Sequence, residues 1–596
     1  MKKGFKRVVS LLAVMALLIS VVMLTGCGGQ NAAPEQSTKQ TESATETEGT
    51  TEGPPVELGI TTPPCAKNFP AGYQEDPVIK QIEQKLNVHL NVTPYNAVGD
   101  AVSKFTAQLA SNDFNDIVYI PYELDYINKI CPQIISAKAA LPMDDYIDKY
   151  GQDIVQNAPQ VIESNKKYFS RDVNGNSNNK LYFLALNPQY TENPVDIDIA
   201  PRLRFDLYQK LGAPKLETMD DYIPVLKQMM ELEPKNSQGQ KNWGVSGWFA
   251  EGGSWGAWPM QAVWPMMEGV GGIGPFDISI KDGSSKSMWL DKTSAEWKSI
   301  EWFNKAYRAG VLDSDAFVMK WADYQQKGAL KTFLAWADWN ISAGNDAFAK
   351  AGTPEKGFVT MPSPNKDNDA QIFSYPQMDG SFKMMISSNC KNPEKAVQLL
   401  NYLFSFEGSS LIYNGAMDTS WIEADGKPAI SQEILDQMKN DPDYSIKTGA
   451  GKYNNMAGLG MAQIDKRYNV PLYYQYLPEV AEKTFTQRQK TALEFFKVNN
   501  FKELYSQKKL TAYNASAPNA LPPDTDDIKA ISTKRDTYLY PQIYKLILSK
   551  TEEDFKAGQD KTIEELKKIG QEKVEEYYKA LPSFNEVVNN YISVSK

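Results

Sequence analysis

The chain has 596 residues and a formal net charge of −10, and 42% of its residues are apolar, an ordinary share for a globular protein. This length exceeds what a single hydrophobic core accommodates, so two or more lobes are expected. Acidic and basic residues are interspersed without a basic patch, which argues against a nucleic-acid partner and, only weakly, against an anionic ligand.

Residues 1–26 have the layout of a secretory signal peptide. Basic residues precede an apolar run from Val8 to Leu24, and the run leads into the sequence LTGC, which ends at Cys27. This ending resembles a bacterial lipobox, in which the chain is cut before the cysteine and the thiol carries a diacylglycerol. We therefore expect Cys27 to be lipidated and to hold the protein on the cell membrane, facing outside the cytoplasm. The alternative is an uncut membrane anchor, for which the apolar run is short.

Residues 27–55 are rich in Thr, Glu, Ser, Gln, Gly and Pro and contain almost no large apolar side chain. A segment of this composition does not form a packed core and is interpreted as a disordered tether. No second long apolar run follows it, so no other part of the chain is expected to span the membrane.

Three cysteines remain beyond the lipobox. Cys65, Cys131 and Cys390 are widely spaced and no C-x-x-C pair occurs, which argues against metal and redox sites. A disulfide between one pair is an alternative in an oxidising compartment, but buried free thiols are the favoured interpretation.

Hydrophobic patterning over residues 56–120 predicts alternating strands and helices. Val56, Leu58 and Ile60 alternate with Glu and Gly, as in a strand, and Asp76-Pro77 opens a helix with an acidic cap and a proline in the first turn. Strand and helix signals continue to alternate to the end of this segment. The β-α-β-α-β order predicts a parallel sheet covered by helices.

Ligands bind beyond the carboxyl ends of parallel strands. Residues 61–69 and 121–125 follow two of the predicted strands and are therefore candidate pocket loops. Further along the chain, the patterning predicts a helix that begins near 141–147, a strand at 181–186 and another helix at 202–212.

Residues 243–264 form the most unusual stretch, WGVSGWFAEGGSWGAWPMQAVW, which contains five of the twelve tryptophans. Its glycines interrupt any helix or strand period, so a loop-rich surface that carries large flat rings is predicted. The alternative is an irregular loop inside the core of a large domain.

Helical signals dominate the later part of the chain, from a helix around Trp297 to a mostly helical region beyond residue 480. Residues 269–274 superficially resemble a dinucleotide-binding loop, but no strand precedes them and no helix follows, so a flexible connection is predicted. A single charged amphipathic helix is predicted for Ile563–Tyr578, with its charges on a solvated face.

The sequence lacks the residues that several kinds of catalytic chemistry require. The single histidine, His89, lies on the polar side of a predicted strand, so a histidine triad or zinc site is not expected, and no P-loop sequence occurs. A carboxylate pair for glycoside cleavage remains an alternative. Asp338, Glu251 and Glu268 lie near tryptophans and are its first candidates, although such carboxylates also accept hydrogen bonds from sugar hydroxyls without catalysis.

Several short motifs follow one another along the chain after the tether. They are LPMDDYI at 141–147, NKLYFL at 179–184, LRFDL at 203–207 with LG at 211–212, TMDDY at 218–222, AYRAGVLD at 306–313 and KNPEKA at 391–396. Their order, with a lipobox in front, resembles the family 1 extracellular solute-binding lipoproteins of bacterial carbohydrate ABC importers. More narrowly, the chain is similar to the large branch that includes alginate oligosaccharide-binding proteins.

The resemblance implies an α/β fold of the periplasmic-binding-protein type, with two lobes, a hinge and C-terminal helices. It assigns residues 56–187 and 338–405 to the first lobe, and residues 188–337 and 406–596 to the second. It also implies a protein without enzymatic activity, which captures an oligosaccharide between its lobes and delivers it to the permease subunits of an ABC importer. A monomer is expected. The alternatives are a cell-surface glycoside hydrolase and a receptor of the same fold for peptides or other solutes.

The predicted ligand contacts combine aromatic faces, which stack on sugar rings, with polar groups that bind hydroxyls. Asp338, Trp339 and Asn340 end an apolar run and are assigned to a hinge or to the facing lobe. Arg204 is either a ligand contact or part of a structural ion pair. The aromatic candidates are Trp248, Trp255, Trp258 and Trp264, with Tyr375 and Trp421 as weaker ones.

Relatives in this family often carry a calcium loop, to which residues 233–243 correspond. Most acids at the ligand spacing are replaced here, and Lys235 brings a cation to a ligand position, which argues against calcium. Residues 172–178 have alternating oxygen donors but no closing glutamate, and are interpreted as a polar turn. No cofactor is therefore predicted.

Overall fold

The computed structural model describes residues 53–593, with gaps at 66–67, 96–100, 122–123, 125–128, 189–198, 329, 366–369, 375–379 and 506–508. The predictions for the signal peptide, for Cys27, for most of the tether and for Tyr375 lie outside the described residues. Within these described ranges, no helix combines the length and apolar character needed to cross a membrane.

Strands are distributed along most of the chain and belong to several sheets. They are β1 (Val56–Thr62), β2 (Gly72–Tyr73), β3 (Val88–Pro94), β4 (Ile117–Tyr119), β5 (Leu184–Leu186), β6 (Arg202–Arg204), β7 (Trp243–Val245), β8 (Val270–Ile273), β9 (Phe276–Ser279), β10 (Ser285–Ser287), β11 (Thr332–Ala335), β12 (Phe358–Thr360), β13 (Ala370–Ser374), β14 (Phe382–Ile386), β15 (Ile422–Ala424), β16 (Lys427–Ala429), β17 (Ile464–Asp465), β18 (Val470–Pro471) and β19 (Lys509–Ala512).

Helices cover the sheets and dominate the C-terminal region. They are α1 (Pro77–Leu86), α2 (Ala101–Ser111), α3 (Cys131–Ser136), α4 (Asp144–Tyr150), α5 (Gln152–Asn157), α6 (Pro159–Tyr168), α7 (Phe205–Lys210), α8 (Met219–Leu232), α9 (Gly253–Gly256), α10 (Trp264–Met267), α11 (Ala295–Arg308), α12 (Trp321–Asp323), α13 (Asp338–Lys350), α14 (Pro393–Leu403), α15 (Phe406–Asn414), α16 (Gln432–Asn440), α17 (Tyr444–Thr448), α18 (Pro478–Thr484), α19 (Gln487–Phe496), α20 (Asp526–Ile547), α21 (Glu552–Ile569), α22 (Gln571–Ala580) and α23 (Phe584–Tyr591).

The first sheet has the strand order β2-β3-β1-β4-β14-β5. Strand β1 pairs in parallel with β3 and β4, in a register that sets Ile60 opposite Val92 and Ile117. The parallel sheet predicted from the patterning is therefore confirmed, with antiparallel strands added at its edges. The predicted helix start is also confirmed, because the Asp76 side chain accepts a hydrogen bond from the N–H of Ile79 at 3.2 Å.

The second large sheet has the order β12-β6-β11-β7. Its strand β6 corrects the prediction of one helix over 202–212, since residues 202–204 pair with β11 and β12 before α7 begins at Phe205. The strand positions are filled by Arg202, Leu203 and Arg204, all of which are buried. The pairing of this short segment between two neighbouring strands overrides the helical tendency of its sequence.

The larger apolar clusters form two separate cores. The first core draws on residues 58–186 and 384–472, and the second core on residues 199–372 and 492–592. Each core is thus built from two distant parts of the chain. The assignment of these segments to two lobes stays a prediction.

The cores divide the chain differently from the predicted lobe boundaries. Met361 and Ile372 pack in the second core, although residues 338–405 were predicted to belong to the first lobe. Tyr413 packs in the first core, although residues 406–596 were predicted to belong to the second lobe. The apolar face of a helix predicts which side of the helix is buried. It does not predict which of the two cores that side packs against.

Glycine-rich segments also differ from their predictions. Residues 270–273 are not a flexible connection but strand β8, which pairs with β9 in an antiparallel hairpin. The predicted helix Ile563–Tyr578 is divided into α21 and α22 at Gly570, which has a left-handed φ of 109°.

The three cysteines of the described region are free thiols, as the sequence favoured. Cys65 and Cys131 are buried and Cys390 is half-buried. Burial raises the pKa of the Cys65 thiol to about 11 and that of Cys390 to about 12. These thiols are therefore protonated at neutral pH and poorly reactive.

A buried pair of carboxyl groups makes stability depend on pH. Glu296 is fully buried in α11, next to Asp277 of β9, and burial together with the Asp277 charge raises the pKa of Glu296 well above its usual range. Because the unfolded chain releases this proton near pH 4.3, the stabilisation is complete below that pH and is lost as the pH rises.

We expect Glu296→Gln, which keeps a neutral side chain of similar shape, to remove this loss. The variant should be more stable than the natural protein at neutral pH, with a smaller difference at pH 4. Urea unfolding at a series of pH values measures both. A difference in stability that is equal at every pH would contradict the raised pKa of Glu296.

Candidate functional site

Five aromatic side chains from two segments meet on the surface of the second core. Trp248, Trp255, Trp258, Trp321 and Tyr324 form what we call the aromatic cluster. Trp248 occupies its centre, with its ring centroid 4.8 Å from Trp321, 4.9 Å from Tyr324, 5.5 Å from Trp255 and 6.1 Å from Trp258. Three of the four predicted tryptophans of the 243–264 stretch are thus brought together.

The cluster has a buried floor and an accessible surface. Trp248 and Tyr324 are each 1% exposed, and the Trp248 indole N–H donates to the Trp255 carbonyl at 2.9 Å. Trp255 is 37% exposed, while Trp258 and Trp321 are half-buried. Trp248 therefore supports the other rings, and the surface available to a ligand consists of Trp255, Trp258 and Trp321.

Irregular helical segments, rather than the predicted open loop, carry these rings. Trp258 directly precedes a π-helical segment, Pro259–Val263, and Tyr324 begins another, Tyr324–Gly328. π-Helical turns are rare and occur frequently at functional sites. The short helices α9 and α12 carry Trp255 and Trp321.

Hydrogen bonds join the two segments of the cluster. The Glu251 carboxylate accepts from the N–H of Trp321 at 2.9 Å, and the N–H of Ala250 donates to the carbonyl of Met319 at 3.1 Å. Trp321 was not predicted as a site residue. It lies far from the three clustered tryptophans of the 243–264 stretch in the sequence. The local sequence contained one signal for an aromatic surface, which is the second aromatic residue, Tyr324, on the same helical turn.

Two of the predicted aromatic contacts lie in hydrophobic cores instead. Trp264 is 7% exposed and packs against Trp302 with ring centroids 5.6 Å apart in the second core. Trp421 is 8% exposed, packs 5.0 Å from Tyr474 and donates its indole N–H to the Gly415 carbonyl at 3.1 Å. Both rings are enclosed by protein, which gives them a structural role.

Arg204 forms the structural ion pair that the sequence left as one of two alternatives. It is 2% exposed and donates to both carboxylate oxygens of Asp206 at 2.9 Å, and to those of Glu233 at 3.1 and 3.2 Å. Burial opposes ionisation of Asp206, but the hydrogen bonds and charge of Arg204 outweigh it and hold the pKa of Asp206 below its usual range. The guanidinium is therefore fully engaged within the protein.

The predicted polar contacts Asp338, Trp339 and Asn340 begin helix α13, and the side chains of the first two are outside the described part of the structure. Asn340 is 2% exposed, and neither its amide nitrogen nor its amide oxygen has a hydrogen-bond partner among the described residues. An unpaired buried amide costs about 1–3 kcal/mol. Since α13 packs against Tyr324–Gly328, Asn340 is a candidate ligand contact on a helix that adjoins the aromatic cluster.

Two of the three carboxylates suspected of catalysis, Glu251 and Glu268, have structural partners. Besides Glu251, which caps the backbone at Trp321, Glu268 accepts from Lys298 at 2.6 Å and from Asn365 at 3.4 Å. These hydrogen bonds hold both side chains in fixed positions. They offer no support for a carboxylate pair that cleaves glycosides.

The sequence model of the bacterial extracellular solute-binding protein family matches residues 66–408. The chain belongs to this family. A fructooligosaccharide ABC transporter substrate-binding protein, FusA of Streptococcus pneumoniae serotype 4, is 20% identical over 345 residues, which is 56% of this chain. The match spans 58% of the length of that protein.

Solved structures of other solute-binding proteins share the fold of this family member. FusA in complex with kestose has a TM-score of 0.57 at 16% identity, with 88% of this chain and 99% of FusA covered. The alginate-binding protein AlgQ2 has a TM-score of 0.53 at 17% identity, with 91% and 98% covered. An HMO-binding protein from Bifidobacterium longum infantis has a TM-score of 0.56 at 13% identity, with 91% and 100% covered. The fold is thus the α/β, two-lobed fold of solute-binding proteins.

The structures of relatives include AlgQ2 without calcium ion and an EF-hand mutant of FusA, which raises the question of calcium in this protein. The corresponding loop, residues 233–243, is closed by its own hydrogen bonds. The Asn236 side-chain oxygen accepts from the N–H groups of Gln238 and Gln240, both at 3.0 Å, and Glu233 is bound to Arg204. These residues do not fit a calcium site.

We expect the melting temperature of this solute-binding protein to be unchanged by excess EDTA or by millimolar calcium, because hydrogen bonds from Asn236 hold the loop that a metal would otherwise hold. Asn236→Ala should lower the stability by about 1 kcal/mol. Asn236→Asp retains the acceptor oxygen and serves as the matched control. A rise of several degrees in melting temperature on adding calcium would contradict this account.

Proposed function

We propose that this protein is the lipid-anchored binding component of an ABC importer and that it captures an oligosaccharide. The observation that carries the proposal is the aromatic cluster, with Trp255, Trp258 and Trp321 presented at the surface. Sugar rings have C–H groups on their faces and hydroxyls at their edges. Exposed indole rings match the faces and lose little side-chain entropy when a ligand binds.

Polar groups complete this chemistry. The amide of Asn340, which has no hydrogen-bond partner among the described residues, offers both a donor and an acceptor, which suits a sugar hydroxyl. Three accessible rings in one cluster favour a ligand of more than one sugar unit. The relatives support this class of ligand. FusA is a fructooligosaccharide-binding protein, AlgQ2 an alginate-binding protein and the Bifidobacterium protein an HMO-binding protein.

Lipidation of Cys27 and the tether at residues 27–55 place the protein on the membrane surface, where the loaded form docks on permease subunits. The proposal rests on the LTGC sequence that follows the apolar run. Cys27→Ser should abolish the incorporation of labelled palmitate, because the variant lacks the thiol that carries the lipid. Absence of the label from the natural protein would indicate an uncut anchor instead.

Intrinsic tryptophan fluorescence with a panel of oligosaccharides and peptides tests the proposed ligand class. Because Trp255 is exposed, a stacked sugar changes its environment and the emission shifts. A response to peptides without any response to glycans would make the protein a receptor for another solute. Release of reducing ends that is abolished in Asp338→Asn would make it a hydrolase.

A further inference from the structure

The loop that joins two rings of the aromatic cluster, Trp248 and Trp255, also borders a groove. Residues 249–254 of this loop form one wall, and helix α20 forms the opposite wall with Asp536, Thr537 and Tyr540. The groove has a volume of about 740 Å³, within the range of small-molecule sites. We call it the α20 groove.

The loop between the aromatic cluster and the α20 groove contains two residues that carry no side chain. Gly252 and Gly253 form this part of the loop, with left-handed φ values of 74° and 54°. A Cβ added at either glycine would meet no atom within 4 Å. The exposed Ser254 follows, and then Trp255. A chain-like ligand seated on Trp255 is thus able to continue over bare backbone into the groove.

The lining of the α20 groove has the mixed character that carbohydrates require. The half-buried rings of Phe317 and Tyr540 offer flat apolar surface, and the exposed Thr537 and Ser254 offer hydroxyl groups. Asp536 lines the groove and accepts a hydrogen bond from the neighbouring Arg535 at 2.8 Å. Its carboxylate keeps acceptor capacity for a sugar hydroxyl.

The walls of the groove are held in place by packing. Phe249 of the loop stacks on Tyr544 of α20 with ring centroids 5.4 Å apart and planes inclined by 22°. The C-terminal end of α20 is fixed by Asn304, whose side-chain amide donates to the carbonyls of Ile547 at 3.0 Å and Ser549 at 2.8 Å. The groove is therefore preformed, which lowers the entropic cost of binding.

We propose that the α20 groove binds additional sugar units of the same oligosaccharide, beyond those stacked on Trp255. This inference rests on the proposed function, because it takes the aromatic cluster as the primary site. The protein then discriminates ligands by length, and the affinity rises when the chain is long enough to cross Gly252 and Gly253.

Thr537→Trp tests the inference by filling the groove from an exposed position on α20. Thr533→Trp is the matched control, since Thr533 is equally exposed on the same helix, one turn earlier, and does not line the groove. Calorimetric dissociation constants are measured for neutral fructo-, galacto-, xylo- and manno-oligosaccharides, each series running from the disaccharide upward.

Thr537→Trp should weaken the binding of the longest bound members about tenfold or more while leaving the shortest bound member unchanged, and Thr533→Trp should change neither. An equal effect of Thr537→Trp at every length, or no effect at any length, would overturn the groove proposal alone. Absence of binding by every series in the natural protein would overturn the proposed function together with it.

Discussion

Trp255→Ala is expected to weaken oligosaccharide binding about 30-fold or more, which corresponds to about 2 kcal/mol. The ring of Trp255 is the most exposed of the aromatic cluster, at 37%, and removing it takes away a stacking face without opening the floor formed by Trp248. Trp255→Phe retains a smaller ring and should lose less. Isothermal titration calorimetry with the best ligand of the panel measures both variants.

Phe495→Ala provides the matched control. Phe495 is 44% exposed and packs against Phe205, outside the aromatic cluster, so its removal should leave the affinity unchanged. The thermal stability of both variants should stay close to that of the natural protein. A Trp255→Ala variant that is folded and binds with the natural affinity would show that the ligand lies elsewhere.

Arg204→Ala is expected to destabilise the protein by about 3 kcal/mol, because it removes a buried cation and leaves the half-buried carboxylates of Asp206 and Glu233 without their partner. The depressed pKa of Asp206 also means that this stabilisation is present above the ordinary Asp pKa and is lost as the pH falls. The difference between the variant and the natural protein should therefore shrink in acid. Urea unfolding at pH 7 and at pH 3 measures the two effects.

The exposed ion pair between Lys447 and Asp441 is the appropriate comparison, and Lys447→Ala should change stability little. Ligand affinity distinguishes the two roles considered for Arg204. If Arg204→Ala were stable but unable to bind sugar, the arginine would be a ligand contact. Unchanged affinity in the fraction that remains folded agrees with the ion pair.

Local signals predicted the first sheet well. The alternation at Val56–Ile60 and the Asp76-Pro77 cap act within a few residues, and the structure places a strand and a helix at these positions. The strand at 202–204 was missed because it depends on pairing with β11 and β12, which come more than a hundred residues later. The sequence of these three residues contains no signal for pairing with those distant strands.

The aromatic cluster was likewise predicted from local sequence only in part. The density of tryptophan in residues 243–264 predicted a ring-bearing surface, and three of these rings do meet there. Trp248, Trp255 and Trp264 are the same residue type within one short stretch, yet one is the floor of the cluster, one is exposed and one is in the core. That difference arises from distant packing partners such as Trp302 and Trp321, which the local sequence does not specify.

The buried pair formed by Asp76 and Lys452 sets an order of events for a protein that emerges from its N-terminus. The Lys452 ammonium donates to Asp76 at 2.9 Å across 376 residues of sequence, and both side chains are almost completely buried. Until residue 452 has emerged, α1 presents a capping carboxylate without its counter-ion and the first core lacks its closing segment. The first core is therefore completed only after most of the chain has been synthesised.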